Sequence, residues 1–506
     1  MTTREEPALA EPTTRPYNGA EFLESLRDAR EIYIEGERVK DVTTHPAFAT
    51  SARSMARLYD ALHDGSMTTV PTDTGSGGYT HPFFKAPRST QDLMDSRSAI
   101  ESWARLTYGW MGRTPDYKAA FLGTLGVNDE YYGEYAGNAH RWYRESQEKI
   151  LYWNHALVNP PIDRNLPPEE IGDVVLHVVK ETDNGVVVSG AKVVATGSAM
   201  THMAFLGYFG APVRDKQFAI IAGVEMSTPG VKLISRTSYS AMAQRTSAPF
   251  DYPLSSRFDE NDAILILDNV LIPWENVFVY GDLEKFNMFG LASGFGDRLA
   301  LQGAIRLAVK TEFIAGLLTK SLAMTGTKDF RGVQARLGEV YGWRSTYWSL
   351  VEAMVRNPVD WVNGSVQPDP VPGDAYRQLG ALGYARIREI VLQDLGSALI
   401  YLPSSVKDFQ SPEVRPYLDK YVRGSGGISA EERVKTLKML WDAVGTEFGG
   451  RHELYERNYQ GSHEAIKVGA VFDYDRRGTT KALTDFAEQA MSEYDLDGWT
   501  IPELRD

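Results

Sequence analysis

The hydrophobic period of this chain changes twice, and that double change restricts its architecture more than any other feature. Over the first 150 residues apolar side chains recur at helical spacing, as in Phe22, Leu23 and Leu26, and again from Ser51 to His63. Ser89 or Thr90, with Asp92 in the first turn, reads as the cap of a further helix. The exception is Glu31 to Val39, which alternates and turns at Gly36 as a small hairpin does. After Pro160 the period drops to two. Residues 173–179 and 185–196 are β-branched runs hinged at Asp183, Asn184 and Gly185, and residues 218–224, 231–235 and 263–267 continue in that style.

From about Leu299 the helical period returns in Ile305, Ala308, Val309, Ile314, Leu317 and Leu318. Arg306 and Lys310, one turn apart, read as its polar side. Further helices are expected over 333–353, 376–400, 430–448 and 483–494. A chain of 506 residues is too long for one core. The expected division is a disordered tail over 1–16, a mainly helical domain over 17–150, a β-barrel or sandwich over 151–285, and a helical bundle over 286–506. The fold class is α+β.

Composition removes several chemistries. With no cysteine there is no disulfide, no thiolate nucleophile, no Cys-ligated zinc and no ordinary iron–sulfur cluster. The nine histidines form neither HxxxH nor HExxH, so no metal site is expected. No GxSxG elbow is present, and Gly424-Ser425-Gly426-Gly427 misses the dinucleotide spacing. The glycines from Gly75 to Gly78 lack the rest of a phosphate-binding loop. A net charge of −14 argues against nucleic acid or an anionic membrane as partner. No apolar run approaches the roughly 20 residues of a membrane span, and the N-terminus has no signal-peptide pattern. A cytoplasmic location is expected.

Two patches remain. One runs Tyr108-Gly109-Trp110-Met111-Gly112-Arg113-Thr114-Pro115-Asp116-Tyr117; the other runs from Tyr152 to Arg164 and contains Asn154-His155-Ala156. Each sets a strong hydrogen-bonding group among aromatics, glycines and prolines, which suits a rigid pocket for a flat polar ligand. Arg113 in a tight turn is a fixed cation for an anionic oxygen. Tyr117 can donate beside it, and His155 can accept or deliver a proton near neutral pH. A phenolate or a carboxylate would fit equally.

These patches are similar to motifs of the 4-hydroxyphenylacetate 3-hydroxylase family, the oxygenase components of two-component, reduced-flavin-dependent phenol monooxygenases. So are residues 190–199, 250–260, 268–275 and 447–456, and the likeness runs from about Pro16 to Pro502. The resemblance implies an acyl-CoA dehydrogenase-like fold, with an N-terminal helical domain, a central β-barrel, a C-terminal bundle and assembly as a homotetramer. It implies FAD as cofactor, arriving as FADH2 from a separate NAD(P)H-dependent flavin reductase. Reaction with O2 would give a C4a-hydroperoxyflavin that hydroxylates a phenol ortho to its hydroxyl. Arg113, Tyr117 and His155 would hold the phenol oxygen as the catalytic set. Flavin contacts would come from His155, Ala156, Leu157, Pro161, Ile162, Asp163, Arg164, Thr196, Ser462, His463, Glu464 and Ala465.

The family's loop after Thr196 presents small hydroxyl residues to the acid tail of the substrate. Here Tyr208, Phe209, Gly210 and Ala211 stand in that loop, with no Ser or Thr beyond Thr201. The expected substrate is therefore a para-substituted phenol that is 4-hydroxyphenylacetate, tyrosine-like, coumarate-like or tethered to a carrier protein. The alternatives are halophenol oxidation by the same flavin chemistry and a non-catalytic flavin- or partner-binding homologue.

Overall fold

The two changes of period are the two seams of the molecule. The structure, a computed structural model, describes residues 14–505 apart from 164, 209, 211, 247 and 459. Most of the expected tail, residues 1–13, lies outside these. Of the remainder, Arg15 forks onto Glu21 at 2.7 Å and Pro16 is buried.

The N-terminal helices begin where local chemistry starts them. Asn18 and Glu21 form a reciprocal capping box on Gly19–Ser25, and Ser89 accepts the Asp92 N–H at the head of Thr90–Leu106. The expected hairpin is present, with Glu35 and Gly36 both at positive φ (54° and 81°). Its place differs from expectation. Glu31–Ile34 pairs in parallel with Val231–Ser235, so the hairpin is an edge of the central sheet rather than part of the helical domain.

The central region is two sheets. One has six strands, in the order Glu37–Arg38, Glu31–Ile34, Val231–Ser235, Ala263–Pro273, Gly185–Lys192 and His177–Thr182. The other orders Val277–Tyr280, Ile220–Glu225 and Met203–Leu206. Among the described residues no continuous ladder closes one sheet on the other. Single bridges stitch them instead: Trp153 to Met203 and Ala156 to Leu206 on the smaller sheet, and Val158 to Val193 at the end of Gly185–Lys192. The stitching segment cannot become a full strand, because Pro160 and Pro161 lack the N–H groups a ladder needs.

Ala263–Pro273 runs past the expected end at residue 267. Asp268 and Asn269 form a bulge, with Asn269 at φ 53°, that shifts the inward parity from Leu265 and Leu267 to Val270 and Ile272.

The C-terminal bundle is built on Phe295–Thr325, flanked by Arg331–Arg356, Pro370–Ile400, Ala430–Val444 and Glu447–Asn458. The expected helix over 430–448 breaks near Gly445. Arg306 and Lys310 overturn the reading of a polar side: they are 1% and 0% exposed. Residues 298–311 of this helix have no solvent side, so their cations need a buried counter-charge, and Glu456 supplies it. Arg306 forks onto that carboxylate at 2.7 and 2.6 Å and Lys310 reaches it at 2.8 Å. His463–Arg476 was not anticipated; it and the expected last helix, Thr479–Met491, bury no side chain. No helix among the described residues is long and apolar enough to cross a membrane.

Candidate active site

The Arg113 turn is fixed from its backbone. Tyr108 and Gly109 take left-handed conformations after Thr90–Leu106. A Cβ on Gly109 would lie 2.7 Å from the Arg306 carbonyl and the Lys310 amide, so the close approach of the central helix requires glycine there. The buried Glu260 carboxylate then accepts the N–H groups of Gly112 at 2.8 Å and Arg113 at 2.6 Å. The Tyr152 hydroxyl donates to the Arg113 carbonyl. Pro115 occupies the first turn of Pro115–Leu122, the helix that carries Tyr117.

The side chains complete the cluster. The Arg113 guanidinium lies 4.0 Å from the centre of the Tyr117 ring and 5.0 Å from that of Tyr455. Its Nη1 donates to the Tyr455 hydroxyl at 2.8 Å, and an added Cβ on Gly112 would overlap that hydroxyl. The Tyr117 hydroxyl is 3.3 Å from Nδ1 of His155, and the amine of Lys118 is 2.9 Å from the same nitrogen. The structure thus brings Arg113, Tyr117 and His155 together.

Electrostatics change one part of the expected chemistry. Burial, then the positive charges of Lys118 and Arg113, push the His155 imidazole well below its ordinary pKa, so it rests neutral rather than titrating near pH 7. Burial pushes the Lys118 amine well down and the Tyr117 hydroxyl up. Trp110 and Trp153 are buried, Trp110 against Phe448 and His452 and Trp153 against Trp142 and Phe278.

A second cluster surrounds Thr196. It is presented by a strained turn: Val194, a β-branched residue, sits at φ 56°, worth about 1–3 kcal/mol of strain. The Thr196 hydroxyl donates to Asp262 at 2.5 Å, and Arg451 donates to Thr196 at 3.3 Å and to Asp262 at 2.6 Å. Burial would raise the Asp262 pKa, but Arg451 and Arg236 hold the carboxyl far below its usual range. Nη1 of Arg451 is buried with no hydrogen-bond partner among the described residues. With its proton given to Asp262, the Thr196 oxygen is an acceptor, which is what the N5–H of a reduced flavin needs. The unpartnered Arg451 N–H offers a donor for a polar edge of the same group. The residues present fit such a cofactor.

The other expected contacts divide. His155, Ala156 and Leu157 lie in the stitching segment, with Ala156 and Leu157 buried. Pro161, Ile162 and Asp163 stand exposed just beyond it, and Arg164 lies outside the described residues. Ser462 caps His463–Arg476, and Ser462, His463, Glu464 and Ala465 are all exposed. Their hydrogen bonds among the described residues stay local, His463 to the Arg457 carbonyl and the Ala465 N–H to Ser462. Of the expected substrate contacts, Tyr208 stacks on Phe286 (6.1 Å, 7°), Gly210 is exposed, and Phe209 and Ala211 lie outside the described residues.

Sequence reasoning missed Lys118, Glu260, Tyr455, Asp262 and Arg451. Glu260, Tyr455 and Arg451 fall in the segments already marked by resemblance. Their roles depend on partners 147, 342 and 189 positions away, which no local pattern reveals.

Comparison with known proteins agrees with the geometry. The family models described as 4-hydroxyphenylacetate 3-hydroxylase N terminal and C terminal match residues 18–279 and 286–488. The chain is 60% identical, over 98% of its length and 95% of the relative's, to the (3S)-3-amino-3-(3-chloro-4-hydroxyphenyl)propanoyl-[peptidyl-carrier protein] monooxygenase of Streptomyces globisporus. It is 58% identical, over 97% of its length and 95% of the relative's, to the oxygenase component of a Rhodococcus 4-nitrophenol 2-monooxygenase. The crystal structure of the oxygenase component of 4-hydroxyphenylacetate 3-monooxygenase complexed with FAD and 4-hydroxyphenylacetate matches with a TM-score of 0.88 at 31% identity, covering 94% of this chain and 99% of that one. With both halves matched and full-length relatives above half identity, this chain belongs to the 4-hydroxyphenylacetate 3-hydroxylase family of flavin-dependent aromatic monooxygenases.

Proposed function

We propose that the chain hydroxylates a para-substituted phenol at the ortho carbon to give a catechol, using FADH2 made by a separate NAD(P)H-dependent flavin reductase and O2 as co-substrate. The observation that carries this reading is the meeting, at Tyr117, of a fixed guanidinium over its ring and a neutral imidazole at its hydroxyl. When bound, the reduced flavin supplies the electrons that activate O2, so that one oxygen atom can go to the phenol and the other leave as water. Arg113, with Tyr117 beside it, stabilises negative charge on the phenol oxygen, and that charge raises electron density at the ortho carbon. His155 sits where the phenol proton must depart. Trp110 and Trp153 keep water out, while Thr196 and Arg451 hold the flavin edge.

On this reading the tail of the substrate meets the Tyr208 ring stacked on Phe286, with the Lys192 amine 5.6 Å from that ring and Gly210 exposed. An open mouth without Ser or Thr suits a phenol whose para substituent leads out to a carrier protein better than one ending in a short carboxylate. Likeness to the carrier-linked enzyme of Streptomyces supports the same choice.

The two terminal helices leave Val471, Phe472, Leu483 and Phe486 about 60–75% exposed, and we read them as an arm that packs on further copies in a homotetramer. The residues 462–465 would reach flavin in that assembly, which functions in the cytoplasm.

The test supplies reduced FAD, O2 and a panel of free and carrier-linked para-substituted phenols. Catechol is expected, with carrier-linked substrates giving the higher kcat/KM. Release of H2O2 alone from every member would sink the reading.

A further inference from the structure

Lys118 is a buried cation-forming group that the roles above do not use. Its amine is 0% exposed and lies 2.9 Å from Nδ1 of His155. The groups around it come from five segments. Its own helix supplies Tyr117, and the preceding turn supplies Arg113. The stitching segment supplies His155, and Met203–Leu206 and Phe295–Thr325 supply the rings of Phe205 at 4.2 Å and Phe295 at 4.4 Å. Asp116, two residues earlier, is bound by Thr114, and Arg298 turns to the carbonyls of Phe83 and Ala119. Among the described residues no carboxylate pairs with Lys118. An ammonium kept there only for stability would lack the counter-charge that such groups require.

His155 poses the matching problem. It faces the phenol proton, but burial and two neighbouring cation-forming groups disfavour an imidazolium. A base that cannot keep a proton must pass it on. We propose that Lys118 is the positioning residue that takes up the phenol proton through His155, the imidazole acting as a relay. The phenol O–H bond breaks as an Nε2–H bond forms, and the Nδ1–H bond breaks as a third Nζ–H bond forms; no electron changes hands. Before the transfer the amine is neutral and Nδ1–H donates to it. Afterwards the ammonium donates to Nδ1 and His155, neutral throughout, donates from Nε2 to the phenolate. The Phe205 and Phe295 faces hold the new cation, and the depressed pKa of the amine is consistent with a neutral resting state.

This inference rests on the phenol reading above, so the test separates the two. Flavin-free protein is titrated with 4-nitrophenol, whose phenolate is coloured, while proton release is followed in two buffers of different ionisation enthalpy. Wild type should bind phenolate without releasing a proton. Lys118→Met should bind with a phenolate fraction about tenfold lower at the same pH, and any phenolate formed should release one proton. It should melt no lower than wild type, since an uncompensated buried amine is removed. Lys118→Arg should not restore wild-type behaviour, because a guanidinium cannot accept a proton. Phenolate fraction and proton release unchanged in Lys118→Met would overturn the relay, as would a wild type that binds only neutral phenol. If wild type still forms catechol in either case, the proposed reaction stands and only the role of Lys118 falls.

Discussion

Arg113→Met is expected to lower the rate of catechol formation by about 10²–10³-fold, the effect of removing one preorganised donor from a developing oxyanion, without unfolding the protein. The structure separates these outcomes. The backbone of Arg113 is held through its N–H by Glu260 and through its carbonyl by the Tyr152 hydroxyl, bonds that do not depend on the side chain. Methionine can occupy the slot between the Tyr117 and Tyr455 rings as an apolar filler. What disappears is the fixed charge, and with it the drive toward phenolate. O2 would still be consumed, so H2O2 should rise as catechol falls. Arg113→Lys should recover little, because an ammonium lacks the planar stack and fork that two flanking rings select. Oxygen uptake measured beside catechol yield gives the coupling ratio. A ratio unchanged in Arg113→Met would remove this residue from the chemistry.

The same contrast between backbone and side-chain control explains what the sequence could reveal. The Ser89 cap, the turn at Gly36 and the strand Val231–Ser235 were legible because each is decided within a few residues. Arg113, Tyr117 and His155 stood out because unusual residue types crowd each patch. Arg306 and Lys310 were misread for the complementary reason. Helical spacing says which residues share a face, but it cannot say that Glu456, 150 positions on, will meet that face inside the bundle. Closure of the central strands was hidden in the same way: most strands are locally marked, yet how the two sheets meet depends on the bridges of residues 153–158. Lys118 was invisible because a lysine one position after Tyr117 ordinarily faces solvent, and the distant Phe205 and Phe295 rings help to exclude it. His463–Arg476 lacks an apolar stripe facing its own chain, so period gave no cue.

Glu456→Gln should be the most destabilising single change that leaves the Arg113 turn chemically intact, at about 3–5 kcal/mol. Glu456 pairs with both Arg306 and Lys310, and all three are buried. Burial alone would raise its pKa, but the two cations hold it at about 2. Lys310, pushed down to about 8 by burial against the pull of Glu456, is still charged at pH 7. The amide therefore strands two cations in the core beneath Gly109, whose carbonyl Arg306 also holds at 3.2 Å. The sign of the pH effect follows from the depressed carboxyl. In the unfolded chain Glu456 titrates near 4.3, so its contribution is fully present above that pH and is lost as pH falls toward about 2. Urea unfolding of wild type should weaken steeply over that acid window, and the variant should begin weaker and lose less within it. Equal acid slopes in the two proteins would show that the Arg306–Glu456–Lys310 cluster does not govern the bundle's stability.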